Sequence, residues 1–175
     1  VSQSYNALIE ALEADKLDVV YVGGGSYVSA YNKGINVVPL VVAKAHGRTY
    51  YKSCILTQKD SDIKTLNDLK GRKFAFVSPT STSGGIGPRY YLTKNGINPE
   101  KDFKSFYYAG KHTAVLLAVM NGKVDAGSVS DSQFSRWKER GLFKFDKYDE
   151  PNSIFIGGPL RILGCQKVPG PPIVA

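Results

Sequence analysis

The chain has few of the residues that form metal centres and disulfide bonds: only two cysteines and two histidines occur among 175 residues. Two cysteines are too few for a small scaffold held together by disulfides. The four residues lie far apart in the sequence, which is unlike the ligand spacing of a zinc site. No run of apolar residues approaches the length of about 20 residues that a membrane-spanning helix needs. We therefore expect no metal, no cofactor and no spanning helix.

Sequence motifs of the common enzyme classes are also missing. The chain has no G-x-S-x-G elbow, no G-x-x-x-x-G-K-[ST] loop and no H-E-x-x-H pair. Its glycine run, Gly23-Gly24-Gly25, does not fit the G-x-G-x-x-G pattern of dinucleotide-binding proteins. We therefore expect a protein that is not an enzyme.

The charge of the chain is strongly positive. Lys and Arg number 23 against 15 Asp and Glu, which gives a formal net charge of +8. Such a charge favours an anionic partner, although scattered basic residues are also typical of a solvated surface. The 11 tyrosines lie in predicted strands and helices rather than along a basic stripe, so no nucleic acid is expected as a partner.

Apolar residues alternate between strand-like runs and helical spacing along the chain. Strands are predicted at 18–22, 37–43, 50–57, 73–77, 103–107 and 124–128, and the segments between them read as helices. Ser2 or Ser4 is expected to cap the first helix, Asp131 a later one, and the proline-rich end is expected to be extended or disordered. This alternation predicts an α/β fold with largely parallel sheets. Ligands bind such sheets at the carboxyl ends of the strands, where two loops, 23–26 and 78–85, are rich in small residues.

The strongest candidate site is the segment Ser81-Thr82-Ser83-Gly84-Gly85, between a predicted strand and a predicted helix. A helix amino end binds anions through its free N–H groups, and three hydroxyls add further donors. The glycines let the backbone approach a ligand closely. The alternative interpretation is an ordinary Ser/Thr helix cap followed by a glycine hinge.

His112 opens the helix predicted at 113–120 and is the second candidate. A neutral His112 would donate one hydrogen bond to an oxyanion, and a protonated one would add charge. His46, beside Gly47 and Arg48, is interpreted as an exposed loop residue.

Several ordered blocks of sequence together resemble the periplasmic substrate-binding proteins of phosphonate, phosphite and phosphate ABC transporters. The blocks are residues 5–12, 18–23, 51–53, 68–71, 81–84, 111–112 and 124–127. The resemblance implies a two-lobed, type II fold in which each lobe is a mostly parallel sheet flanked by helices. Lobe 1 would comprise residues 1–57 and 149–175 and be incomplete, because the family's first strand, helix and strand have no counterpart. Lobe 2 would comprise residues 58–148.

The resemblance also implies a set of ligand-binding residues in the cleft between the lobes. Ser81, Thr82, Ser83 and Gly84 would hold the phosphorus oxygens, together with His112. Tyr51, or Tyr50 beside it, would supply an aromatic side chain. Groups on the opposite side would come from Tyr21, Gly24 and Ser26, and Asp125 and Asp131 are nearest to the acidic residues that recognise a ligand's amino group.

The function implied is that of the solute-binding component of an ABC importer. It would capture phosphonate, phosphite or phosphate, deliver it to a membrane permease, and act as a monomer in the periplasm or anchored outside the cytoplasmic membrane. The alternatives are an effector-sensing domain of a transcription regulator, and an enzyme with Ser81 or Ser83 as nucleophile and His112 as base. A further hypothesis is that Cys54 and Cys165 lie on two strands crossing between the lobes and form a disulfide.

Overall fold

The computed structural model describes residues 5–44, 47–149 and 151–175. The predicted cap residues Ser2 and Ser4 and the predicted loop residue His46 lie outside these ranges. Within them, no helix is both long enough and apolar enough to cross a membrane.

Up to residue 130 the strands follow the apolar pattern of the sequence, whereas the four described strands after it were not predicted. The helices are α1 (Tyr5–Glu13), α2 (Gly24–Asn32), α3 (Gly87–Lys94), α4 (Pro99–Asp102), α5 (His112–Met120) and α6 (Phe134–Glu139), with a π-helical turn at Thr82–Ile86 and 3₁₀ turns at Asn67–Leu69 and Asp131–Gln133. The strands are β1 (Val20–Tyr21), β2 (Pro39–Val42), β3 (Tyr50–Gln58), β4 (Lys73–Phe76), β5 (Ser105–Tyr108), β6 (Ala126–Ser130), β7 (Lys147–Asp149), β8 (Ile154–Ile156), β9 (Leu160–Pro169) and β10 (Pro172–Val174). The proline-rich end is therefore extended, in β9 and β10.

A five-stranded sheet, which we call the large sheet, has the order β5-β4-β6-β3-β9. Strand β4 runs parallel to β5 and β6, whereas β3 runs antiparallel to both β6 and β9. The prediction of mostly parallel sheets is therefore wrong for β3 and β9. A continuous apolar run indicates a strand covered on both faces, but it does not fix the direction of the neighbouring strands.

Helices cover both faces of the large sheet. Val115, Leu116 and Trp137 from α5 and α6 pack with Cys54 on one face. Leu92 of α3 packs with Phe74, Phe76 and Ile55 on the other.

The second sheet, which we call the small sheet, is antiparallel throughout and has the order β1-β10-β2. Helices α1 and α2 close its core through Ile9, Leu12 and Ala30, which pack with Val20 and Val174. Residues 50–57 and 160–169, which fall within the predicted lobe 1, pair with each other in the large sheet. The lobe boundaries themselves stay a prediction.

Cys54 and Cys165 face each other across β3 and β9 and form a disulfide. The hypothesis that these cysteines pair is confirmed. Cys54 is fully buried in the core beneath α5, and the bond joins β3 to the edge strand β9.

Candidate anion-binding site

The loop after β4 folds back on itself and begins a helix at Ser81. The buried Ser81 caps this helix, since its Oγ accepts the Gly84 N–H at 3.1 Å. Its carbonyl oxygen accepts the N–H groups of Gly85 and Ile86, both at 2.9 Å. The π-helical turn at 82–86 then leads directly into α3. Ser81 thus performs the capping role of the alternative interpretation, and it does so at a buried helix end.

Glycine is required at positions 84 and 85 by close packing. A Cβ at Gly84 would overlap the Val77 side chain and lie 3.2 Å from His112 Cε1. A Cβ at Gly85 would overlap the carbonyl oxygen of Ser78. The helix start therefore lies directly against the end of β4 and against α5.

The amino end of α2 contacts the same turn from the side of the small sheet. The N–H of Gly25 donates to Thr82 Oγ1 at 2.8 Å. A Cβ at Gly25 would lie 2.5 Å from the carbonyl oxygen of Thr80, whereas one at Gly24 would have only Thr82 Oγ1 nearby, at 3.9 Å. The predicted backbone donor from the glycine run is present, but in this structure it binds Thr82.

His112 is the first residue of α5 and lies against Gly84. Its Nδ1 accepts the N–H of Ser130 at 3.2 Å. Burial lowers the pKa of His112 to about 4, so the ring is neutral at pH 7. Because Nδ1 accepts a hydrogen bond, the single proton of the neutral ring lies on Nε2. Of the two forms considered from the sequence, the structure favours the neutral donor.

Three further serines support the site: two of them hydrogen-bond to the backbone of the turn, and the third bonds to His112. Ser53 Oγ donates to the carbonyl oxygen of Ser83 at 2.8 Å, and Ser128 Oγ donates to that of Gly84 at 3.1 Å. Ser130 orients His112 as described above. Ser128 and Ser130 lie two residues apart in the apolar run of β6, near its carboxyl end, and this alternation is the signal that could have identified them.

The amino ends of three helices therefore meet around Thr82 and Gly84. They belong to α2, to the continuous helix formed by 82–86 and α3, and to α5. The N–H groups in the first turn of a helix lack acceptors within the helix and give its amino end a partial positive charge, so the convergence of three such ends favours a bound anion.

Asp125, one of the two predicted acidic ligand residues, lies at the opposite end of the large sheet from the candidate site. Its Oδ2 accepts the N–H of Lys73 at 2.7 Å, and its carbonyl oxygen accepts Thr57 Oγ1 at 2.7 Å. Lys73 begins β4, whereas the candidate site follows the end of that strand. Asp125 directly precedes β6, which runs parallel to β4. It therefore lies at the end of the sheet where these strands begin, opposite the candidate site.

Asp131 lies directly after β6, at the same end of the large sheet as the candidate site. Its Oδ1 accepts the N–H of Lys52 at 2.9 Å, and burial raises the pKa of its carboxyl group. Lys52 is itself buried and donates from Nζ to Ser153 Oγ at 2.7 Å. The predicted helix-capping role of Asp131 belongs to Ser130, whose Oγ accepts the Ser132 N–H at 3.2 Å. Through its hydrogen bond to the Lys52 N–H, Asp131 instead joins β3 to the end of β6.

The aromatic candidates take different positions. The Tyr50 ring lies 4.5 Å from Lys167 Nζ and 5.7 Å from the guanidinium carbon of Arg48, so cations flank it. Tyr51 is half-buried next to it on β3, opposite Val168. Tyr21 is 57% exposed on β1 of the small sheet.

Comparisons with known proteins identify the family. The description "ABC transporter, phosphonate, periplasmic substrate-binding protein" belongs to the family profile that matches residues 1–175. The chain is 33% identical over 144 residues to the phosphate-import protein PhnD of Mycolicibacterium smegmatis, covering 77% of this chain and 45% of that protein. It is 32% identical over 139 residues to the phosphonates-binding periplasmic protein of Escherichia coli, covering 77% of this chain and 40% of that one.

A solved structure gives the same result for the fold. The binding-protein component of an ABC phosphonate transporter from Pseudomonas aeruginosa superposes with a TM-score of 0.79 at 26% identity, covering 99% of this chain and 55% of that one. This match confirms the α/β fold of type II binding proteins. The chain spans about half the length of these relatives. Because the family profile matches the whole length of this chain, the chain belongs to the periplasmic substrate-binding proteins of phosphonate ABC transporters.

Proposed function

We propose that this chain binds a small phosphorus oxyanion, such as phosphonate, phosphite or phosphate, where the amino ends of α2, the 82–94 helix and α5 meet. The observation that carries the proposal is this convergence of helix ends around a turn built from hydroxyls and glycines. A tetrahedral anion needs donors from several directions, and helix amino ends supply them without a cationic side chain.

Each part of the site has a role in this proposal. The hydroxyls and amides of residues 81–84 would donate to the phosphorus oxygens, and His112 would donate from Nε2. Thr82 lies at the contact with α2, so a bound anion would share donors from the large-sheet and small-sheet sides. Anion binding would thereby stabilise the closed arrangement of the two sides.

The tautomer of His112 supports binding rather than serine chemistry. In a Ser-His catalytic pair, Nε2 must carry a free lone pair to accept the serine proton, which requires the ring proton on Nδ1. Here Nδ1 accepts the N–H of Ser130. A neutral His112 in this orientation is a donor at Nε2 and does not act as a general base there.

The names of the relatives support the wider role. One is a phosphate-import protein and another a phosphonates-binding periplasmic protein. We therefore extend the proposal to a binding protein that works in the periplasm, or anchored outside the cytoplasmic membrane, and delivers its anion to an ABC permease.

Calorimetric titration tests the proposal directly. Methylphosphonate, 2-aminoethylphosphonate, phosphite and phosphate would be compared with sulfate, and we expect one-to-one binding of at least one phosphorus anion without turnover. Ser81→Ala and Ser83→Ala should each weaken that binding by about 1–2 kcal/mol, the scale of a hydrogen bond to a charged group. Thr93→Ala, at an exposed position of α3, is the matched control. Unchanged affinity in both serine variants would remove the turn from the site.

A second prediction concerns the contact between α2 and the turn. Gly25→Ala would place a Cβ 2.5 Å from the Thr80 carbonyl oxygen, so α2 must move away and the Gly25–Thr82 hydrogen bond must lengthen. We expect the dissociation constant of the bound anion to rise about tenfold or more, equal to about 1.4 kcal/mol. Gly24→Ala is the control, because its new Cβ would meet only Thr82 Oγ1, at 3.9 Å. Equal affinities of the two variants would contradict the proposed role of this contact.

A further inference from the structure

Ser26, one of the ligand-binding residues that the resemblance implies, has a buried hydroxyl group without a hydrogen-bond partner in the part of the chain that the structure describes. It lies in the first turn of α2 with a relative exposure of 2%, and its Oγ has no hydrogen-bond partner among the described residues. A buried hydroxyl that makes no hydrogen bond destabilises the folded state, so such groups are normally satisfied by protein or by bound water.

The Ser26 side chain lines a small polar cavity between α1, α2 and the turn after β4. The cavity has a volume of about 20 Å³, and its polar lining residues are Glu10, Glu13, Ser26, Ser29, Lys33 and Thr80. A volume above about 10–15 Å³ with two or more polar partners is sufficient for one water molecule. The walls come from both sides of the molecule. Thr80 belongs to the large-sheet side, and the other five lie in α1, in α2 or, for Lys33, directly after α2.

We propose that this cavity is a binding site for one ordered water molecule, which joins Ser26 to Thr80. The Thr80 carbonyl oxygen lies 2.5 Å from the position of a Cβ on Gly25, the residue next to Ser26. An acceptor from the turn is thus held against the helix turn that carries the unpaired hydroxyl. A water between them would donate to Thr80 and form a second hydrogen bond with Ser26 Oγ.

The water is a second bridge between the two sides of the molecule. The first is the direct bond from the Gly25 N–H to Thr82 Oγ1. Gly25 would then contact Thr82 directly, and Ser26 would contact Thr80 through the water molecule. The site would be occupied with or without a bound anion.

The sign of a stability change tests this proposal. If Ser26 Oγ is unsatisfied, Ser26→Ala removes a cost and should stabilise the protein. If a water satisfies it, the same substitution loses a hydrogen-bonded bridge and should lower the folding equilibrium constant about fivefold to tenfold. Ser135→Ala, at an exposed position in the first turn of α6 and away from the cavity, controls for the change in helix propensity.

We expect urea unfolding to show the loss for Ser26→Ala and not for Ser135→Ala. A stability equal to or above that of the unsubstituted protein in Ser26→Ala, after correction for the effect of Ser135→Ala, would overturn the proposal. A crystal structure provides the second readout: we expect a solvent peak within hydrogen-bond distance of both Ser26 Oγ and Thr80 O. A well-ordered cavity without that peak would overturn the proposal independently of the stability result.

Discussion

Reduction of the Cys54–Cys165 disulfide is expected to lower the free energy of unfolding by about 5 kcal/mol. The bond joins residues separated by 111 positions, so it closes a long loop and thereby lowers the conformational entropy of the unfolded chain. The chain-entropy relation gives about 4.7 kcal/mol for a loop of roughly 100 residues. A loss of this size is comparable to the total stability of a small domain, so the reduced protein should be marginally stable.

Urea unfolding of the oxidised and reduced protein measures this effect. The control is the double variant Cys54→Ala, Cys165→Ala, in which added reductant should change nothing. Equal urea midpoints for oxidised and reduced protein would show that the crosslink does not restrict the unfolded chain as expected. A disulfide at this position also agrees with the proposed location outside the cytoplasm, where such bonds form and persist.

Acidification from pH 6.5 to pH 4 is expected to reduce the stability of the protein through His112. The folded-state pKa is lowered from 6.5 to about 4, so between these values the unfolded chain binds more protons than the folded one. The contribution of His112 is therefore fully present above pH 6.5 and is lost as the pH falls towards 4. A shift of this size corresponds to at most about 3 kcal/mol.

His112→Asn isolates this contribution, because the asparagine does not titrate and its side-chain oxygen can still accept the Ser130 N–H. The unfolding free energy of the variant should depend less on pH between 4 and 6.5 than that of the unsubstituted protein. Asp131 acts in the opposite direction, since burial raises the pKa of its carboxyl group, but it is common to both proteins. Parallel pH profiles would refute the inferred burial of a neutral His112.

The local elements could be predicted from the sequence because each depends on neighbouring residues. The helix at 112–120 places Val115, Leu116 and Val119 on one buried side, and it ends before Gly122, whose φ of +66° suits glycine. The cap at Ser81 was also predictable, since a serine before a glycine-containing helix start is a local signal.

Positions of side chains relative to distant strands were not predictable in this way. Asp125 and Asp131 both flank the short strand β6, and the sequence treats them alike. The strand places them at opposite edges of the large sheet, so only Asp131 lies near the candidate site. Likewise, the alternation in β6 can mark Ser128, but no local pattern shows that Ser128 and Ser53 donate to the backbone of residues 84 and 83.

The amino-acid sequence by itself determined where β1 to β6 and all the helices except the short α4 form, which turn begins with a cluster of hydroxyls and glycines, and which family the blocks resemble. Only the tertiary structure decided that β3 runs antiparallel to its neighbours, that Cys54 faces Cys165, and that the Ser26 hydroxyl faces a cavity shared with Thr80. The physical reason is the range of the interactions. Helix caps and apolar periodicity act over a few residues, whereas strand direction and the burial of a hydroxyl depend on segments that meet only when the whole chain packs.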